Sequence, residues 1–220
     1  MSNVPGTAPV LTLAVAIAVG GSIAQPVPGL AQAPGVVWRA ATDPPPPPPG
    51  TTRVVNYDRN GKRLAACAEK AGSSIQVGGR SVPATEVWIT DGDAVWKTSI
   101  GAATCDPAWS PDGQRLVVSA PDGLWLLSGP QQRAGERLVD ARRSDQGANG
   151  AGNLVLSKPR WSPNGARVAY VASSGGATFV EAVDVGTGRL IWKSGPETYA
   201  FTWGADSRSL VIGGNTVRIP

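Results

Sequence analysis

The sequence contains no histidine and only two cysteines, and charged residues occupy 16% of its 220 positions. Without histidine, Ser/His/Asp and Cys/His nucleophile arrangements are excluded, and so are the commonest metal ligand and the commonest general base near neutral pH. The chain also lacks a phosphate-binding loop, a dinucleotide fingerprint, a G-x-S-x-G elbow and a paired-cysteine metal motif. The sequence therefore predicts no catalytic residue, no metal site and no cofactor.

Long runs of one charge are absent as well. Twenty Lys and Arg and 16 Asp and Glu give a net charge of +4, but the basic residues form no run longer than pairs such as Arg142-Arg143. Basic residues scattered among acidic ones are typical of a solvated surface. We therefore expect no nucleic-acid partner.

Glycine and proline are abundant instead, with 28 and 20 residues. Many such residues among few charged ones favour short strands joined by tight turns over long amphipathic helices. The sequence therefore predicts an all-β fold, and its length is sufficient for one ordinary domain with a hydrophobic core.

An apolar run of 15 residues, Val10 to Ala24, lies near the N-terminus. It is shorter than the roughly 20 residues that a membrane-spanning helix needs, and it has the length typical of a signal-peptide core. Because small residues follow at suitable cleavage positions, we expect a signal peptide over residues 1–33 and a periplasmic or secreted protein. No Lys or Arg precedes the run, so the alternative is an uncleaved membrane anchor. In that case the protein would contact the membrane only through this segment.

Residues 34–50 are predicted to form a proline-rich linker, since Pro44 to Pro49 are six consecutive prolines. Such a run adopts an extended, stiff polyproline II conformation. Two alternatives remain for the preceding residues 36–40: a loose tether, or a strand that pairs with the last unit of the domain and closes it. The globular domain is predicted to span residues 51–220.

The two cysteines, Cys67 and Cys105, are predicted to form a disulfide, because an even number of cysteines is typical of exported proteins with disulfides. The alternative is two buried thiols. A bond would close a loop of about 39 residues, worth roughly 4 kcal/mol in the chain-entropy model.

One motif recurs along the domain: an aromatic residue, a turn rich in Ser, Pro, Asp or Asn, and Gly, and then an apolar run. Residues 108–118 align without a gap on residues 160–170, and weaker copies occur at 202–212 and 56–66. Its structural positions are Tyr57, Trp109, Pro111, Asp112, Gly113, Trp161, Pro163, Asn164, Gly165 and Trp203. Proline presets φ in such turns, Asp or Asn bonds back to the backbone, and glycine adopts positive φ. Each copy therefore predicts a β-hairpin.

The aromatic position of the motif recurs at intervals of 52, 52 and 42 residues. Periods in this range, with several strands in each unit, are typical of propeller blades. We therefore predict about four four-stranded blades in a small or incomplete propeller, with the repeated tryptophans packed between blades. If the four units do not close on themselves, self-association with a second chain is expected.

The Trp-Ser-Pro-Asp-Gly turn at 109–113, with the Arg-Leu-Val-Val run that follows, resembles the WD40-like (PD40) repeats of TolB-like β-propellers, a family of exported and periplasmic proteins. The resemblance is strongest at residues 108–118 and 160–170 and covers the chain from about residue 51. It implies a propeller fold. Those propellers usually have six or more blades, whereas this sequence contains four at most.

Two segments are expected to be loops, Ala68 to Pro83 and Gly129 to Lys158. The second contains the candidate binding residues Arg133, Arg142 and Arg143, because long loops on a rigid scaffold often hold binding residues; the alternative is plain disorder. The sequence thus predicts an exported, non-catalytic propeller that binds a protein or a cell-envelope component through its blade loops. The alternatives are an accessory or sensor module for a separate enzyme, and a truncated propeller without independent function.

Overall fold

The structure is a computed structural model that describes residues 45–77, 80–102, 105–129, 131–142 and 154–220. The predicted signal peptide, the candidate closing strand at 36–40, most of the linker and Arg143 lie outside the described residues. Within these residues, no helix is long and apolar enough to cross a membrane.

The described residues form fifteen strands in four antiparallel sheets, each with its strands in chain order. Blade 1 consists of β1 (Thr51–Asn60), β2 (Arg63–Val77), β3 (Arg80–Asp91) and β4 (Ala94–Ala102). Blade 2 consists of β5 (Asp106–Trp109), β6 (Leu116–Ala120), β7 (Gly123–Leu127) and β8 (Glu136–Asp140). Blade 3 consists of β9 (Val155–Trp161), β10 (Arg167–Ser174), β11 (Ala177–Asp184) and β12 (Leu190–Lys193). Blade 4 consists of β13 (Thr202–Trp203), β14 (Ser209–Ile212) and β15 (Asn215–Arg218).

The sheets are joined through the first strand of each. Strand β1 contacts β5, β5 contacts β9, and β9 contacts β13. Four-stranded meander sheets that pack in chain order through their first strands are the arrangement of propeller blades. The predicted all-β, propeller-type fold of about four blades is therefore confirmed, with three strands in blade 4 among the described residues.

Each junction between successive blades has its own hydrophobic cluster. In β6, Leu116 and Val118 face blade 1 while Val117 faces blade 3. In β10, Tyr170 faces blade 2 and Val171 faces blade 4. Since strand side chains alternate between the two sides of a sheet, a continuous apolar run is needed wherever both sides are covered. The apolar runs of β6 and β10 are therefore second strands of blades that are covered on both sides.

The turn before β6 shows why the motif forms a hairpin. The Ser110 hydroxyl accepts a hydrogen bond from the Arg115 main-chain N–H (2.9 Å), and the Asp112 carboxylate accepts one from the Gln114 N–H (3.0 Å). Gly113 has a φ of 66°, in the left-handed region that glycine adopts without steric cost. Ser207 occupies the same position in the eroded blade 4 turn, with a φ of 57°.

Both loop predictions were wrong in part. In the segment 68–83, β2 and β3 continue as a two-stranded hairpin, with Ile75 opposite Val82 and an irregularity between Glu69 and Ser74. The small residues there are compatible with an exposed ribbon, because no close packing is required of them. In the segment 129–158, the fourth strand of blade 2, β8, pairs with β7 and buries Val139.

Candidate functional site

The disulfide between Cys67 and Cys105 joins two blades. Cys67 lies in β2, and Cys105 lies immediately before β5; their Cα atoms are 5.8 Å apart. Both are at most 1% exposed and belong to the cluster between blades 1 and 2. A buried disulfide is compatible with an oxidising, exported compartment.

The repeated aromatic residues all lie in the first strands of their blades, and two of the tryptophans bond to the preceding blade. The indole N–H of Trp161 donates to the carbonyl of Ala108 (2.9 Å), and that of Trp203 donates to the carbonyl of Arg160 (3.0 Å). Trp109 is linked to blade 1 in another way, because its main-chain N–H donates to the Asp58 carboxylate (2.6 Å). These contacts join blades, and Trp109 and Trp161, which are buried, keep little surface for a ligand.

An arginine follows each of the first three turns, and the first two of these arginines link blades, a role that sequence reasoning missed. Arg63 donates from Nη1 to the carbonyl of Gly113 in the next turn. Arg115 donates from Nη2 to the carbonyl of Gly165 (2.7 Å) and lies 4.8 Å from the centroid of the Trp161 ring. We call Arg63, Arg115 and Arg167 the repeat arginines. Their recurrence at one motif position was the signal that could have identified them, and these bonds place the turns at the same end of the blades.

The candidate binding arginines are separated. Arg133 and Arg142 are both exposed and lie beyond opposite ends of β8, a strand about 17 Å long at roughly 3.3 Å per residue. The Arg133 carbonyl accepts hydrogen bonds from the Ser99 N–H (2.7 Å) and hydroxyl (3.1 Å), whereas the Arg142 N–H donates to Asp140 (2.8 Å). The structure therefore does not bring these two residues into one site.

A cavity of about 550 Å³ lies between blades 1 and 2, beside the β6–β7 turn; we call it the blade 1–2 groove. It lies at the opposite end of the blade 2 strands from the Ser-Pro-Asp-Gly turn. Its lining combines apolar, hydroxyl and charged residues: Lys70, Ser73, Ile75, Ala84, Thr85, Glu86, Ser99, Ile100, Gly101, Pro121, Asp122 and Trp125. The Glu86 carboxylate pairs with Lys97 (3.2 Å) and Lys70 (3.7 Å).

Two residues of the groove lining, Trp125 and Asp122, form an organised aromatic surface with Arg137, which lies beside the lining. The Arg137 guanidinium lies 5.0 Å from the centroid of the Trp125 ring. The Asp122 carboxylate accepts hydrogen bonds from the Trp125 indole N–H (2.9 Å) and from Arg137 (2.8 Å), and Arg137 also pairs with Asp140 (3.1 Å). The main-chain N–H of Arg142 is the main reason why the pKa of Asp140 is lowered, so this carboxylate stays ionised beside Arg137. The charges and the ring therefore hold fixed relative positions.

Sequence reasoning did not select Trp125, Arg137 or Asp122 as a site. The available signal was that Trp125 lies outside the repeated aromatic position, so packing between first strands did not account for it. The groove offers hydrogen-bonding, ionic and stacking groups, which suit binding. Within the described residues, no three His, Cys, Asp or Glu side chains converge as a metal site would require.

Comparison with known proteins gives similarity of structure but not of sequence. No family model matches this sequence, and no curated protein is significantly similar to it. The acylaminoacyl peptidase of Pyrococcus horikoshii superposes with a TM-score of 0.52 at 11% identity, over 72% of this chain and 27% of the peptidase chain. The β-propeller domain of Swd1 (Cps50) from Myceliophteria thermophila gives a TM-score of 0.43 at 10% identity, over 74% of this chain and 64% of the Swd1 chain. This chain thus spans about a quarter of the peptidase and less than two thirds of the Swd1 domain. The four meander sheets, joined through their first strands, together with the peptidase superposition, show a β-propeller-type fold.

Proposed function

We propose that this protein is an exported β-propeller scaffold, related to the TolB-like propellers, that binds a protein partner of the cell envelope. The observation that favours this function is the blade 1–2 groove, which is lined by Trp125 and Asp122 and has Arg137 against both of them. Export is supported by the apolar run at Val10 to Ala24 and by the buried disulfide. The relation to TolB-like propellers is supported by the Trp-Ser-Pro-Asp-Gly repeats.

The wall of the groove has the chemistry of a polypeptide-binding surface. Tryptophan and arginine are enriched among the residues that dominate binding free energy at protein interfaces. Here Asp122 orients both side chains through hydrogen bonds, so a partner would meet a preorganised surface and would lose less side-chain entropy on binding. Lysine and glutamate side chains at the groove supply both signs of charge, which favours a partner with a mixed polar rim.

The experiment is quantitative capture from the cell envelope. The wild-type protein, Arg137→Glu and the control Arg189→Glu are produced in their exported form, cross-linked in intact cells, and compared for the amount of each captured protein. Arg189 is exposed in the turn before β12, away from the groove. We expect Arg137→Glu to reduce capture at least about tenfold, the equivalent of 1.4 kcal/mol, and the control to retain it. Equal capture by both variants would refute binding at this groove.

A second candidate is an accessory module that serves a separate enzyme. The similarity to a peptidase chain, of which this chain spans 27%, favours it. If it is correct, the captured partner will be a hydrolase whose activity changes when the purified propeller is added. A partner without enzymatic activity would favour the scaffold. A third possibility, a truncated propeller without function, predicts aggregation in place of a cooperative thermal transition, because open sheet edges would be exposed.

A further inference from the structure

The third repeat arginine does not make the bond that the first two make. Arg63 and Arg115 each donate to the carbonyl of the glycine in the next blade's turn. For Arg167, the corresponding turn residue is Ser207 in blade 4. Among the described residues, no hydrogen bond joins the Arg167 guanidinium to Ser207. Nη1 of Arg167 is instead shielded from solvent without an acceptor in the described part of the chain. The Arg167 guanidinium therefore does not link two blades as those of Arg63 and Arg115 do.

Arg167 lines a groove together with two other arginines. This cavity of about 530 Å³, the arginine groove, is lined by Arg167, Arg208, Arg218, Ile219 and Pro220. The main-chain N–H of Ile219 donates to the carbonyl of Arg208 (2.6 Å), so the ends of β14 and β15 hold Arg208 and Arg218 on neighbouring strands. Among the described residues, none of the three guanidinium groups has a hydrogen-bond or ion-pair partner.

Two acidic side chains near the groove, Asp184 and Asp206, are engaged elsewhere. Asp184 lies opposite Arg167 on β11, but its Oδ1 accepts hydrogen bonds from the N–H and the hydroxyl of Thr187 (both 2.9 Å). Asp206 accepts from the N–H of Arg208 (3.0 Å) and from the N–H and hydroxyl of Ser209 (3.0 and 2.7 Å). These bonds, and more weakly the charge of Arg218, lower the pKa of Asp206. Both carboxylates thus stabilise turns, and the groove keeps an excess of positive charge.

Three like charges around one cavity repel each other, and a buried guanidinium N–H without an acceptor costs about 1–3 kcal/mol. An anion in the groove would remove both costs. The planar fork of arginine donors matches the oxygens of a carboxylate or a phosphate group, with which it forms paired, charge-assisted hydrogen bonds. We infer that the arginine groove is a binding site for an oxyanion, a carboxylate or phosphate group of a small molecule. It is independent of the blade 1–2 groove and of the partner proposed there.

Titration calorimetry tests this inference on the mature protein, in a buffer free of oxyanions and at constant ionic strength. Inorganic phosphate and citrate are the two probes. Both are expected to bind in a 1:1 ratio and to compete with each other, and the tighter of the two identifies the group that the groove prefers. Arg208→Gln and Arg218→Gln are each expected to weaken binding about ten- to a hundredfold, because each removes a charge-assisted hydrogen bond. Arg167→Gln should have an effect of the same size.

The matched control is Arg189→Gln, which removes an exposed arginine that does not line the groove and should leave affinity within about twofold, because salt screens an exposed charge. Thermal melts of all four variants verify folding. The inference is overturned if neither probe binds, or if the groove variants bind as tightly as the control.

Discussion

The link that Arg115 makes between blades 2 and 3 yields the sharpest stability prediction, because the chain provides its own control. Arg115→Ala removes the hydrogen bond to the Gly165 carbonyl (2.7 Å) and the contact with the Trp161 ring (4.8 Å to its centroid). A hydrogen bond to a charged group contributes about 1.5–3 kcal/mol, and a partly exposed cation–π contact contributes about 0.5–1 kcal/mol. We therefore expect the free energy of unfolding to fall by about 2–4 kcal/mol.

Arg167→Ala is the control, since Arg167 occupies the same repeat position without either contact. Its removal eliminates a buried donor without an acceptor, which relieves a cost of about 1–3 kcal/mol, so we expect no decrease in the free energy of unfolding. Both variants are measured by urea denaturation followed by tryptophan fluorescence, with equal m-values as the condition for comparison. Oxyanions are left out of the buffer, because their binding at Arg167 would stabilise the wild-type protein and Arg115→Ala but not Arg167→Ala. Equal losses from the two substitutions would refute the assignment of Arg115 as an inter-blade link.

Three further predictions concern the core and the N-terminus. The double variant Cys67→Ala/Cys105→Ala should lower the free energy of unfolding by roughly 4 kcal/mol in the chain-entropy model, measured by denaturation without reductant; a loss below 1 kcal/mol would contradict that model here. Trp161→Ala should lower it by about 3–5 kcal/mol, because this residue is 8% exposed and donates to the Ala108 carbonyl, and a loss typical of surface residues would contradict its packing role. The intact mass of the exported protein should correspond to a chain that begins between Gln25 and Pro34, and a mass that includes Met1 would instead indicate an uncleaved anchor.

The repeated turn allowed the fold to be predicted, because local and global requirements agree in it. The Ser, Asp and Gly residues of the turn and the apolar run that follows both specify a hairpin, and the period of the repeat specifies blades. The strand β8 escaped prediction because its neighbours in sequence are rich in glycine and charge. Its assignment depends on pairing with β7, which is a tertiary interaction.

The candidate site was less predictable, for a related reason. Arginine in a strand is usually solvated, so the sequence did not distinguish Arg115, which links blades, from Arg167, which does not. The difference arises from the blade that follows each residue: a complete turn with Gly165 in one case and an eroded turn with Ser207 in the other. Trp125 and Arg137 likewise acquire their relation only when β7 pairs with β8.

A last prediction concerns pH and the junction between blades 1 and 2. Burial raises the pKa of Asp58, and the hydrogen bond from the Trp109 N–H (2.6 Å) only partly opposes this effect. Because the folded-state pKa is above the unfolded value, the folded protein binds the proton more tightly, and stability falls as the pH rises from about 4 through the folded pKa. Asp58→Asn keeps an oxygen acceptor for Trp109 and cannot ionise. Its stability relative to the wild type should therefore increase with pH in that window and then level off.

Asp112 supplies the opposite case for the same measurement. The pKa of Asp112 is lowered, first by the Ser110 hydroxyl and then by the Gln114 N–H. The ionised carboxylate therefore stabilises the folded protein above the unfolded pKa, and this stabilisation is lost as the pH falls through the folded pKa. Asp112→Asn should accordingly lose stability relative to the wild type at neutral pH and recover it below about pH 4. Urea denaturation of the three proteins between acidic and neutral pH gives both curves. If the stabilities of the two variants relative to the wild type change in the same direction with pH, the burial of Asp58 does not determine its proton affinity. The link between β1 and Trp109 is then an ordinary surface hydrogen bond.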